Sequence, residues 1–168
     1  MRRRRSQSGA VTVEYAILYT TVIVPLTFGV IYAAHMLWIW HSVGEWTRLA
    51  ARYASTHCWQ SSGDNVLGWM RSNIPPTVDA DQLRNGNADL TVSYMGRDAD
   101  TGTLTAFTCD SECSAQCVPE TVTVAVRNYQ FGAFLTYLGL QPVAMPDFQT
   151  TVHMEGAGCD PEQGVCNP

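Results

Sequence analysis

The sequence predicts an α+β fold: a long N-terminal helix, apolar enough in its first half to cross a membrane, packed on a small antiparallel β-sheet head with disulfides. Three observations predict it. From Tyr15 to Gly44 run 30 consecutive residues without Asp, Glu, Lys or Arg. Downstream, the segments around Leu90, Val122 and Phe148 alternate apolar with polar residues, the period of a half-buried strand. All six cysteines follow the uncharged stretch, the usage expected of an exported domain stabilised by disulfides.

The helix comes first in the chain. A bilayer core of about 30 Å needs roughly 20 helical residues, so the uncharged stretch is long enough to span, and a core helix of a soluble protein would carry a charged face. Beyond it, Val43, Trp46, Leu49, Ala50 and Tyr53 recur at spacings of three and four, with Glu45, Arg48 and Arg52 on other faces. The helix is therefore expected to run from Ala10 to about His57, roughly 70 Å at 1.5 Å per residue. Pro25 inside it should kink or locally melt it. Trp38, Trp40 and Trp46 suit an outer aromatic belt.

Charge sets the direction. Arg2, Arg3, Arg4 and Arg5 precede the apolar segment and the chain has no lysine. The positive-inside rule keeps that cluster in the cytoplasm and sends the residues after Gly44 outward. The junction reads Arg-Arg-Arg-Arg-Ser-Gln-Ser-Gly-Ala-Val-Thr-Val-Glu-Tyr-Ala. A secretory signal would have an apolar core of about 7–15 residues with its cleavage site after it. Here the apolar run is longer, and Gly9 stands before it. A leader cut ahead of the apolar segment fits better.

Gly9 followed by Ala10-Val11-Thr12-Val13-Glu14-Tyr15 resembles the type IV prepilin processing site, in the Gly-x-x-x-x-Glu-Tyr form of the tight-adherence (Tad, or Flp) system. With its large head the chain is similar to the TadE-like minor pilins, or pseudopilins, rather than to the short major subunit. The resemblance implies a type IV pilin-like fold and cleavage by prepilin peptidase between Gly9 and Ala10. It implies three parts: a leader at 1–9, the transmembrane half of a spine helix at 10–40, and a periplasmic or extracellular head at 41–168. It also implies an assembly role for Glu14 and Tyr15. A carboxylate inside a bilayer costs on the order of 3 kcal/mol, and in such filaments its partner is the new N-terminal amine of a neighbouring subunit, here on Ala10. The implied partners are prepilin peptidase, other pilins and minor pilins of the same filament, the inner-membrane assembly platform and membrane lipid. The implied location is the inner membrane, crossed once, and then an extracellular pilus.

The head reads as a small sheet. Ser61-Ser62-Gly63-Asp64 should end the spine, with Asp64 capping a short helix through Val66, Leu67, Trp69 and Met70 that Pro75-Pro76 stops. Strands are expected over Ala88–Met95, Thr121–Tyr129 and Asp147–Glu155. Phe131–Leu140 reads either as a short helix packed on the sheet, the favoured option, or as an exposed apolar surface for a partner.

Candidate disulfide residues are Cys58, Cys109, Cys113, Cys117, Cys159 and Cys166, and six cysteines allow fifteen connectivities. Cys159 to Cys166 looks like a self-closed loop, with a bond to the cysteine-rich middle segment close behind. The spacing of four between Cys109, Cys113 and Cys117 matches no metal-ligand pattern. Asp98-Ala99-Asp100-Thr101-Gly102 starts like a calcium loop, but its twelfth position is Cys109 rather than an acid, so a polar turn is expected. His57 beside Cys58 would make a Cys–His nucleophile only if the thiol were free.

No catalytic constellation, phosphate-binding glycine loop or metal set emerges, so the expectation is a non-enzyme with no metal and no cofactor. Removing the leader leaves six arginines against 15 acidic residues, a net charge of −9, and phosphate contacts need a basic face. Nucleic acid is not an expected partner. Two functions stand: a minor pilin that primes, caps or regulates a filament, or an uncleaved single-pass membrane protein whose head binds an envelope partner or ligand. An envelope thiol–disulfide enzyme is a weaker third.

Overall fold

A computed structural model describes residues 8–98, 100–109, 117–132, 135, 139, 141–154, 156–160 and 165–166. They form two compact units, one ending at Trp38 and one beginning at Ile39.

The first unit is helical. Helix α1 spans Ser8–Leu18, a π-helical turn covers Tyr19–Ile23, and α2 runs over Val24–Thr56 into the second unit. Pro25 explains the π turn. Its ring would collide with the carbonyl four residues back, and the helix widens just ahead of it, with the Val24 N–H reaching the Tyr19 carbonyl. The expected kink or melt is thus a local rewinding, of the kind π bulges supply. The threonines add no unmet polar groups. Thr20 and Thr21 donate to the Ala16 and Ile17 carbonyls at 2.7 and 2.6 Å, and Thr27 donates to Ile23 at 2.8 Å. The helical stretch Gly9–Thr56 totals 48 residues and is long and apolar enough to cross a membrane.

In the second unit α2 turns one stripe inward. Ile39, Val43, Trp46, Thr47, Ala50, Ala51 and Ala54 are buried, a spacing of three and four that puts them on one face. Small residues dominate its later half, which lets the backbone approach its neighbours closely. Two readings need correction here. Leu49 is 52% exposed, off the stripe, and Trp46 keeps its place in the stripe at 1% exposed, in the core and not in an interfacial belt. Trp40 packs edge-on against Phe148 at 4.9 Å.

A 3-10 turn at Trp59–Ser61 precedes α3, Asp64–Ser72. The chain reverses through Ser62 and Gly63, both at positive φ. Asp64 does not cap α3 as expected. Gly63 holds the cap position without a side-chain bond, and Asp64 is the first helical residue, where its charge still favours the helix N-terminus. The short α4, Ala80–Arg84, is capped by Asp79, whose carboxylate accepts from the Asp81 N–H.

The sheet has four antiparallel strands in the order β2-β1-β3-β6: β1 Asp89–Arg97, β2 Leu104–Ala106, β3 Thr121–Arg127 and β6 Phe148–His153. Its rows show why the alternation matters. Leu90–Val126–Phe148, Val92–Val124–Thr150 and Tyr94–Val122–Val152 lie in register. Val122, Val124 and Val126 are wholly buried, each contributing about 1.5–3 kcal/mol by leaving water. The other face is polar, with the Thr123 and Thr151 hydroxyls 2.8 Å apart across a strand pair. Two small pairs complete the head: β4 Gln130–Phe131 with β5 Val143–Ala144, and β7 Cys159–Asp160 with β8 Val165–Cys166.

The three expected strands are present with shifted ends, and β2 and α4 are additional. Phe131 lies in β4 rather than in a helix. The remainder of the Phe131–Leu140 segment falls largely outside the described residues.

The disulfide reading changes as well. Cys159 and Cys166 face each other across β7 and β8, yet Cys166 bonds to Cys58, 108 residues away. The self-closed C-terminal loop is therefore not formed. Cys109 bonds to Cys117, and Cys159 is also disulfide-bonded. Cys113 lies outside the described residues.

Candidate functional site

The candidate site is the junction at the start of α1 and the helix surface that follows. Gly9 and Ala10 are helical, among the first described residues of α1, and are exposed. A side chain built at Gly9 would meet nothing within 4 Å. Residues 1–7, which hold the arginines, lie outside the described residues.

Glu14 follows one turn after Ala10, on the same face. It is exposed, and among the described residues its carboxylate has neither a hydrogen bond nor an ion pair. Tyr15 and Tyr19 are 69% and 52% exposed, one above the other at a spacing of four. Apolar side chains are exposed all round: Val11, Ile17, Val22, Leu26, Val30 and Leu37 each show more than half of their surface. A helix that is apolar on every side is stable only when another apolar medium or protein covers it.

The head carries the other sites singled out from the sequence. Cys58 is oxidised, so no thiolate stands beside His57. The His57 ring instead stacks on Tyr53 at 3.6 Å with Nδ1 2.7 Å from the Tyr53 carbonyl oxygen. Tyr53 in turn stacks on Trp69 at 5.1 Å. Asp98 belongs to the β1–β2 turn. Its carboxylate accepts from the N–H groups of Asp100 and Thr101 and from the Thr101 hydroxyl, and the Thr101 bonds hold it below the usual carboxylate range. The polar-turn reading accounts for it. Among the described residues no group of three or more His, Cys, Asp or Glu could hold a metal.

Sequence reasoning missed two polar links. Arg97, at the end of β1, binds Glu120 through Nε and Nη2, and Nη1 donates to the Gly102 carbonyl. That bond holds the Glu120 carboxyl below its ordinary range. Gln82 donates to the Gln130 carbonyl at 2.7 Å and accepts from its N–H at 2.9 Å. Both links join residues more than twenty positions apart, and neither leaves a local pattern. The head also bears a shallow groove of about 460 Å³ between α2 and α3, lined by His41, Glu45, Leu49, Trp69 and Pro75 among others.

No protein family, curated protein or solved structure matches the chain.

Proposed function

We propose that this chain is a minor pilin, or pseudopilin, of a Tad/Flp-type pilus, processed by prepilin peptidase after Gly9. One observation carries the proposal. A single carboxylate, Glu14, stands five residues after Gly9 on the described part of a helix, Ser8–Leu18, that is otherwise uncharged and exposed. Such a carboxylate needs a cation once the helix is in lipid or among other helices. Cutting the Gly9–Ala10 bond removes four arginines and creates that cation, the Ala10 amine. The amine of one subunit pairs with Glu14 of its neighbour, and the apolar surface from Val11 to Leu37 is covered by lipid before assembly and by other spines after it. The α+β head, with α2 packed on a small antiparallel sheet, supports the reading. The role is structural: the subunit primes, caps or regulates the filament rather than catalysing a reaction.

The test is the mature N-terminus. Intact-mass measurement or N-terminal sequencing of protein from its native host should find Ala10 first. A start at Met1 overturns the proposal and favours an uncleaved single-pass protein whose head binds an envelope partner.

A further inference from the structure

We propose that native folding of the head requires a thiol–disulfide isomerase, because the first cysteine to be exported must bond to the last. The inference rests on the reading above, that residues beyond the apolar helix cross the membrane amino end first.

Cys58 lies two residues beyond α2 and Cys166 is the last of the six cysteines, so their bond spans 108 residues. Cys109, Cys113, Cys117 and Cys159 all emerge before Cys166. Cys109 and Cys117 are only eight residues apart, and a short loop closes at lower entropic cost than a long one. A protein dithiol oxidant acting on the emerging chain therefore finds Cys58 with several partners in reach, none of them native. Oxidation in order of arrival gives bonds such as Cys58–Cys109.

Correction is an exchange without net redox change. A thiolate of the isomerase attacks the Cys58 sulfur and releases Cys109 as a thiolate. The Cys166 thiolate then attacks Cys58, forms the native bond and returns the isomerase thiolate. The released Cys109 and the Cys117 thiol pass two electrons and two protons to the dithiol oxidant as their own bond forms.

The repair has to precede final packing. In the folded head Cys58 and Cys117 are 8% and 5% exposed. Gly158 lies so close to His57 and Cys58 that a Cβ there would sit 2.7–2.9 Å from their backbone atoms. The C-terminal segment thus covers the Cys58 backbone once it is seated, leaving an enzyme no approach.

The full chain should be exported in two bacterial strains with an intact dithiol oxidase, one of them lacking the disulfide isomerase. Non-reducing digestion and mass spectrometry then report the partner of Cys58. The share of Cys58–Cys166 should fall by roughly threefold or more without the isomerase, with Cys58 appearing on Cys109, Cys113 or Cys117. Equal shares in both strains overturn the inference. Six free thiols in protein from the native host would overturn the export reading itself, an outcome distinct from native bonds that form without the isomerase.

Discussion

Arg97 holds Glu120 through two parallel hydrogen bonds, Nε to Oε2 at 3.0 Å and Nη2 to Oε1 at 2.7 Å. The pair joins the end of β1 to the residue that leads into β3. The Glu120 N–H also donates to the Met95 carbonyl, and its own carbonyl accepts from Met154. Glu120 thus anchors three neighbouring segments at the end of the sheet that carries the β1–β2 turn.

Glu120→Gln should lower the melting temperature of the detergent-solubilised protein at pH 7. The folded carboxyl titrates below its ordinary value, so between the folded and unfolded values the folded state binds fewer protons than the unfolded one. The stabilisation is full above the usual carboxylate range, about 4.3 for Glu, and is lost as pH falls through the folded value. Melting curves of both proteins should therefore differ at pH 7 and converge as the pH falls through the lowered folded value. An unchanged difference would mean that the charge is not what matters.

Gly63→Ala should destabilise the head by about 2–4 kcal/mol, from left-handed backbone strain and overpacking together. Gly63 has φ +90°, and a Cβ there would lie 2.7 Å from the Cβ of Val92 on the apolar face of β1. Urea unfolding followed by tryptophan fluorescence would measure it. Gly86→Ala is the control: its φ is also positive but nothing stands within 4 Å, so its cost should be the backbone share alone.

Tyr94→Phe should be neutral or stabilising by up to about 1–2 kcal/mol, against the usual trend for core substitutions. The Tyr94 hydroxyl and the Trp59 indole N–H are buried with no hydrogen-bond partner among the described residues, inside one cluster with Cys117, Phe107, Val118 and Met154. Burial pushes the Tyr94 hydroxyl up to about 12. The folded state then keeps a proton that the unfolded chain loses near pH 10, so stability falls as pH rises from 10 through 12. Alkaline unfolding curves should show the phenylalanine variant losing less over that range.

Glu14→Gln should leave the mature N-terminus at Ala10 and the melting of the head unchanged, while lowering the amount of this chain in sheared filaments by about tenfold or more. The carboxylate's cost in an apolar medium, about 3 kcal/mol, sets the scale of what its pairing must offset. Immunoblots of sheared filaments and membranes would separate assembly from expression. Normal incorporation would remove Glu14 from the mechanism.

Much of the fold was legible because periodicity survives into burial. Leu90, Val92 and Tyr94 alternate in β1 with exposed Thr91 and Ser93, and the uncharged stretch maps onto one continuous helical run. What was not legible depended on contacts distant in the chain. Strand β2 has three residues, too few to show a period, and exists because Asp98 tightens the turn before it. Trp46 fits both the apolar stripe and an aromatic belt in the sequence, and only its packed neighbours decide for the core. The bond from Cys58 to Cys166 is likewise set by where α2 ends in space, and the local spacing of Cys159 and Cys166 points elsewhere. At the candidate site, the exposure of Glu14 and Tyr15 follows from the sequence, since α1 is apolar on every side.

The link between Gln82 and Gln130 has a consequence beyond stability. Gln130 pairs with Ala144 on one side, while its own N–H and carbonyl are both taken by the Gln82 carboxamide. A side chain here imitates the peptide group of a missing neighbour strand. Unpaired peptide groups on a sheet margin invite strand addition from other molecules, the first step of aggregation. On the proposed filament role, Gln82 acts as a gatekeeper: it closes that margin and leaves association to the helix.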